Sequence, residues 1–482
     1  MTPVTKYEWP DSTLEIRAID TALIIFGFVT LIAPVAVILW NYLRKGEDLV
    51  SSKHLFVIGV SNFMGVAGLT TGVRQLYRGN QIAMDVVLLF AATALFFTCF
   101  WWSYNRWRAP VRVAHKLWRK SPPANIATIT TIGGISAILG LFASALPIDI
   151  PVVGQIVNNL GKLLPAAAVA LFIFAWLRNP LMVMYLAMAG GALMIAVFTA
   201  LFGSGRHPLF AAVVAIPIAW YWGSWRYSRP TATIGRMTAL GIGVIFLILV
   251  YSGFRHDFNG DADSGVAMDR IKQLLEFRLE TSSYAEDWLN EDAITVALLC
   301  IEEFNRKASP DYFHTVRYVL SNPIPRDWWP DKPTALGEFL PRDRGEWVDG
   351  KVNWGPSIIG NAFHDGGLWM AGLYGLVIGG AFRVFDQLLT EQPNNPWLVM
   401  LLAAASPKIV AMSRGDITIY IVAIIGLIVV TTVALRIAMM IFGKVDEWEF
   451  SDEVEYDPEM ELELILLRLT SGLLLASRLL VH

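Results

Sequence analysis

Thr21–Trp40, TALIIFGFVTLIAPVAVILW, runs for twenty residues without a charge. About 20 apolar residues, as a helix rising 1.5 Å per residue, cover the roughly 30 Å of a bilayer's hydrocarbon core, and such a helix bonds its own backbone groups where no water can. Outward from this stretch the same reading repeats. Of 482 residues, 55% are hydrophobic and 16% charged, and the mean hydropathy is +0.50. An ordinary globular domain carries about 25% charge. The composition excludes disordered, collagenous and coiled-coil chains, which show low hydrophobicity or a short repeat. Eleven stretches qualify as spans: 19–43, 54–73, 82–103, 124–146, 163–177, 180–203, 208–224, 237–252, 366–382, 396–412 and 416–435. The expected fold class is therefore an all-α polytopic membrane protein of about eleven transmembrane helices.

Glu8, Asp11, Glu15 and Asp20 precede the first span, with no basic n-region and no small-residue cleavage site, so that span is expected to be kept as an anchor. Lys and Arg in short loops mark the cytoplasmic side. Arg44, Lys45 and Lys53 follow the first span, Arg106, Arg108, Arg112, Lys116, Arg119 and Lys120 the third, and Arg226, Arg229 and Arg236 the seventh. The loop 147–162 carries almost none. This alternation puts the N-terminus outside, the C-terminus inside, and residues 253–365 on the outer face. The expected organisation is eight spans in 1–252, a large outer domain in 253–365, three spans in 366–445 and a tail in 446–482. Within the outer domain, 266–281 and 284–307 have helical apolar spacing, whereas 321–356 is rich in Pro, Trp and charge and reads as irregular. The tail is acidic over 446–463, and its apolar end, Leu462 to Val481, reads as an interfacial helix.

The net charge of −3 offers no field for nucleic acid, so individual charges carry the chemistry. In SNPIPRDWWPDKP (321–333), Pro323, Pro325 and Pro330 stiffen a loop whose tryptophans favour the membrane boundary. Arg326 and Lys332 on such a loop suit an anionic group: Arg forks onto phosphate oxygens and Lys adds a point charge. The alternative is an interfacial anchor. Arg206 lies in GSGRHPLF (203–210), a tight outer turn, where it faces either the outer vestibule or lipid phosphate; His207 beside it reads as structural. Arg414 and Asp416 occupy SRGD (413–416), with Lys408 about two turns deeper, where an ionisable group is normally paired or faces a cavity. These cations could line one outer cavity with Arg206, or Arg414 could pair with Asp416. Asn361, His364 and Asp365 stand just before the ninth apolar run, among glycines 360, 366, 367, 372, 375, 379 and 380, which suit close packing or unwinding. His364 or Asp365 could take a proton from a hydroxyl; helix capping competes for Asp365. Glu286, Asp287, Glu291, Asp292, Glu302 and Glu303 read mostly as a solvated helix face.

Two cysteines, Cys99 and Cys300, make neither a disulfide framework nor a metal cage of usual spacing. P-loop, strand-linked GxGxxG, HExxH and CxxC motifs are absent, so no cofactor or metal is required. The basic 106–120 loop reads as a topology determinant on anionic lipid, or as a docking site for an assembly partner.

IPRDWWPDKP (324–333), then GPSIIGNAFHDGGLWMAGLYGLVIGG (355–380), then SRGD, in that order and spacing, resembles the oligosaccharide repeat-unit polymerases of the O-antigen polymerase (Wzy) type. The GSGRHPLF turn, with WRYSR (225–229) after the next span, is similar to that family's Arg-bearing outer turn. The matches cover 203–229 and 320–416, about a quarter of the chain. The resemblance implies a GT-C-like, metal-independent glycosyltransferase of the bacterial inner membrane. It would use undecaprenyl-pyrophosphate-linked oligosaccharides as donor and acceptor, with a chain-length regulator and a flippase as candidate partners. Fitted to that reaction, the residues read above put Arg206, Arg326, Lys332, Lys408 and Arg414 at the pyrophosphate and glycan, and His364 or Asp365 at the acceptor hydroxyl. Two rivals are an O-antigen ligase and a transporter or flippase of lipid-linked sugar. The latter would be expected to show inverted helix repeats, which the sequence lacks.

Overall fold

The computed structural model describes residues 18–74, 82–114, 120–145, 151–199, 207–256, 293–306, 311–322, 324, 328–345 and 354–446. Arg206, Arg326, the 266–281 helix, Glu8, Asp11, Glu15, Glu286, Asp287, Glu291, Asp292 and the tail beyond 446 lie outside the described residues.

The chain is an all-α membrane protein. In order, its helices are α1 (Ala18–Lys45), α2 (Ser52–Gly59), α3 (Val66–Arg74), α4 (Ile82–Arg106), α5 (Arg108–Ala114), α6 (Ile126–Ala145), α7 (Pro151–Arg178), α8 (Val183–Thr199), α9 (His207–Gly223), α10 (Pro230–His256), α11 (Ala293–Arg306), α12 (His314–Ser321), α13 (Leu336–Asp343), α14 (Ser357–Glu391), α15 (Pro396–Ala411) and α16 (Ile417–Phe442). A π-helical turn, Val60–Gly65, joins α2 to α3. Among the described residues, seven helical runs are long and apolar enough to cross a membrane: α1, α2 with α3, α4, α6, α7, α14 and α16; α8, α9 and α15 are shorter apolar helices. A two-residue strand pair, β1 (Lys120–Ser121) with antiparallel β2 (Val445–Asp446), ties the segment before α6 to the one after α16.

α7 and α15 sit at the centre, where neighbouring helices rather than lipid cover their apolar stretches. Ala166 through Ala175 are all buried, as are Trp397 through Ala405. α15 packs on α7, α9 and α2; α4 packs along α14. α1 lies at the edge and turns Ile25, Phe28, Val29 and Ile32 outward, an apolar band suited to lipid tails. α7 begins at Pro151, twelve residues before the expected span, so most of the expected 147–162 loop is helix. A proline at the first helical position lacks only an N–H that would be unpaired there anyway, which makes Pro151 a natural start.

Contacts sort the helix ends into two groups. At one end, Asp386 near the finish of α14 accepts hydrogen bonds from Ser52 N (2.7 Å) and Lys53 N (3.1 Å), and from the Tyr104 hydroxyl (2.9 Å). It is a carboxylate cap on α2 supplied by a helix far away in sequence. Beside it, Lys53 bonds Glu47 (2.6 Å), and Arg226 bonds Asp48 (2.6 Å). Asp386→Ala would orphan two backbone donors and a hydroxyl in the interior. We expect it to lower stability by about 2–4 kcal/mol, seen as a lower melting temperature in detergent, whereas the Tyr104→Phe variant should lose less.

At the opposite end, the described part of the expected outer domain is built onto the bundle. α11 packs against α14, α4 and α3, and its Ala293, Ile294, Ala297, Leu298 and Ile301 enter the main core. Glu302 and Glu303 are buried, not a solvated face: Glu302 bonds Arg306, and Arg344 sits 3.5 Å from Glu302 and 3.8 Å from Glu303. The arginine of a separate segment covers them, a contact that helix periodicity does not reveal.

Candidate functional site

The site is built around a break in α14. Gly366 is extended and Gly367 takes φ 72°, ψ −151°, so the helix is interrupted between Asp365 and Leu368. A residue with a Cβ resists that left-handed φ, and one at 367 would also press on the Phe304 ring at 3.2 Å. The break frees the Asp365 carbonyl, which accepts from Phe313 N at 3.0 Å. Phe313, at φ 59°, ψ 27°, starts α12 in the left-handed region, and Ser357 starts α14 at φ 59°. Left-handed non-glycine residues are uncommon, persist only where surrounding structure holds them, and cluster at functional sites.

Asp365 is fully buried. Its carboxylate accepts from Thr315 N (3.0 Å), Thr315 Oγ1 (2.9 Å) and the Tyr374 hydroxyl (2.8 Å). Three donors commit those oxygens to joining α12 to both halves of α14. His364, also buried, packs its ring against His314 (5.6 Å) and Phe339 (5.9 Å). His314 bridges: its Nδ1 meets Asp311 Oδ2 at 2.7 Å and its Nε2–H donates to Thr334 O at 2.8 Å, at the end of the Pro-rich loop.

The 413–416 turn joins the same layer. Arg414 O accepts from Ser357 N (3.2 Å), and the Arg414 guanidinium lies 5.5 Å from the Phe63 ring centroid. Asp416 caps α16 through Thr418 N (2.9 Å) and Thr418 Oγ1 (2.5 Å), and its other oxygen accepts from Gly337 N (2.8 Å). Its carboxylate is thereby used in capping. Trp354 N donates to Gly337 O at 2.9 Å, which closes the ring of segments. Behind them, burial pushes the Cys300 thiol well above its ordinary pKa, so it is an inert core group.

The expected cations separate into distinct places. Lys332 donates to Ile324 O (2.7 Å) and to Asn322 O (3.3 Å), so its ammonium clamps its own loop. Arg414 stacks at the turn, and Lys408 is buried on α15, its Nζ 5.3 Å from the Tyr420 ring centroid. Around the layer, Tyr312, Phe313, Val316, Leu320, Trp328 and Trp369 are exposed, a set of apolar and aromatic groups suited to a membrane boundary. Among the described residues, no three His, Cys, Asp or Glu side chains are grouped to hold a metal ion. Sequence reasoning missed His314, Thr315 and Tyr374. Thr315 and His314 carry no motif, and Tyr374 reads there as one more apolar span residue.

No family model matches the chain, and no curated protein or solved structure shows significant similarity to it.

Proposed function

We propose that the protein is a polytopic glycosyltransferase of the bacterial inner membrane that polymerises lipid-linked oligosaccharide repeat units. In this reading it has about eleven spans in a GT-C-like arrangement, an outer N-terminus and an inner C-terminus. The growing glycan leaves its undecaprenyl pyrophosphate and joins a sugar hydroxyl of the next unit. The bond from the anomeric carbon to pyrophosphate breaks, the bond to the acceptor oxygen forms, and the hydroxyl proton passes to a base. Undecaprenyl pyrophosphate departs.

One observation supports this most. The three segments that carry the family resemblance, the Pro-rich loop, the α14 entry and the SRGD turn, lie in one layer at one end of the bundle, tied through Thr334–His314, Thr315–Asp365, Gly337–Asp416 and Ser357–Arg414. They surround a broken helix and two left-handed residues and are flanked by exposed aromatics. Negative charge grows on the departing pyrophosphate, and fixed cations in a water-poor site stabilise it without reorganising. Arg206, Arg326, Arg414 and Lys408 take that role. Lys332 holds the loop that carries Arg326. Of the two base candidates His364 is preferred, since Asp365 already accepts three hydrogen bonds.

The purified protein in nanodiscs, supplied with synthetic undecaprenyl-pyrophosphate repeat units, should yield a ladder of lengthened lipid-linked glycan that survives a chelator. Arg206→Ala, Arg326→Ala and Arg414→Ala should each slow elongation about a hundredfold, the order of loss seen when one transition-state donor is removed. Transfer only to lipid A core would mean a ligase, and no glycan transfer at all would return the transporter reading. Wild-type ladders from all three variants would overturn the assignment of these arginines.

A further inference from the structure

α7 and α15 pack along each other. Arg178, at the end of α7, sets their register, since its Nη2 donates to Asn394 O at 3.3 Å just before α15 begins. The two helices therefore run antiparallel. From that bond toward the Asp365 end, sixteen residues of α7 lead from Arg178 to Lys162, and fourteen lead from Asn394 to Lys408. At 1.5 Å per residue these paths are about 24 Å and about 21 Å, so the two lysines stand level to within one helical turn. Lys162 is accordingly the charge that acts on Lys408.

Lys408 is 6% exposed and Lys162 half-buried. Among the described residues neither ammonium has a carboxylate partner or a hydrogen-bond acceptor; Lys408 has only the Tyr420 ring. Two like charges at this depth repel each other and lose hydration, an expensive arrangement that membrane helices keep where an ion or substrate is handled. An anion between them would reverse both effects. Tyr420 links the pair to the functional layer: its hydroxyl lies where a Cβ on Gly415 would be 2.3 Å away, next to Arg414.

We propose that Lys162 and Lys408 form an anion site between α7 and α15 that takes a phosphate or diphosphate group. It deepens the proposed function, and rests on that reading only for the natural ligand, the donor's pyrophosphate. Compact, rotatable ammonium groups suit a phosphate whose orientation changes, whereas arginine would fix it.

The full chain in phosphatidylcholine nanodiscs, titrated with inorganic pyrophosphate, should show a saturable rise in melting temperature. Lys162→Met and Lys408→Met should each weaken that affinity about tenfold or more, as loss of a charge-assisted bond does. Without pyrophosphate, Lys408→Met should melt higher than wild type, because an uncompensated buried charge is gone. Unchanged affinity in both folded variants would overturn the site. So would a lower melting temperature for Lys408→Met without pyrophosphate, which would mean that the lysine is already paired within the protein. Phosphatidylglycerol nanodiscs separate the sources: competition with pyrophosphate would identify a lipid headgroup as the occupant, and its absence a soluble or donor diphosphate. Pyrophosphate binding that depends on both lysines, without any glycan elongation, would reject the transferase while keeping the site. Elongation unaffected by either substitution would keep the transferase and overturn the donor's pyrophosphate as the ligand of this site.

Discussion

Replacing Gly375 by valine is expected to prevent α4 and α14 from closing, and to leave little folded protein to purify. Gly375 and Gly379 stand one turn apart on α14, and a Cβ would lie 2.3 Å from Phe96 O at the first and 2.5 Å from Phe100 O at the second. Those atoms are backbone of α4, so no side-chain rotation can relieve the clash, and the helices must separate. In lipid there is little hydrophobic drive between helices, and close backbone approach through small residues supplies much of the attraction. Gly375→Ala alone should cost about 1–3 kcal/mol, against the roughly 0.5–1 kcal/mol that alanine's better helix propensity returns. Valine adds two methyl groups where one already fails to fit. The measurement is the yield of monodisperse protein in detergent and its melting temperature. Gly190→Val, on α8 where nothing lies within 4 Å of the added Cβ, is the control and should behave as wild type. Wild-type yield and melting for Gly375→Val would mean that the α4–α14 approach is wrong.

Asp365→Ala is expected to lower stability by about 3–5 kcal/mol, because three buried donors lose their acceptor at once and each orphan costs about 1–3 kcal/mol, partly offset by removal of the buried carboxylate itself. Those donors, Thr315 N, Thr315 Oγ1 and the Tyr374 hydroxyl, come from α12 and from the far side of the helix break. Their loss should release α12 from α14 and carry His314 and the Pro-rich loop with it. Asp365→Asn keeps an oxygen for Thr315 and should cost about half as much. Proteolysis and thermal melting, read beside glycan elongation, separate two roles. If Asp365 is a structural tie, Asn should melt below wild type and keep measurable elongation, while His364→Gln should keep its melting temperature and lose elongation. An Asp365→Asn protein that melts as wild type and elongates nothing would instead make Asp365 the base.

Several features of the fold were legible along the chain. α1, α4, α6 and α16 begin and end within a few residues of the apolar stretches 19–43, 82–103, 124–146 and 416–435, though α16 continues to Phe442. The glycines 366, 367, 375 and 379 were readable as places for unwinding or close packing. The structure divides them, with a break at the first two and the α4 contact at the others. Neither the roles of Lys332, Glu302 and Glu303 nor the depth of α7's start could be read the same way. A lysine in a Pro-rich loop looks free for phosphate until its carbonyl partners are known, and two glutamates on a helix look solvated until Arg344 is placed over them.

The sequence by itself determined the membrane class, the positions of the apolar helices and the candidate cations. The reason is that in lipid each helix must satisfy its own backbone, so the decisive information lies within some twenty consecutive residues. Only the tertiary structure decided which polar groups meet: Asp386 with Ser52, Asp365 with Thr315, and Asp416 with Gly337. Those partners lie from fifty to more than three hundred residues apart, and they are chosen by which helix faces pack together, a property of the whole bundle that no local pattern records.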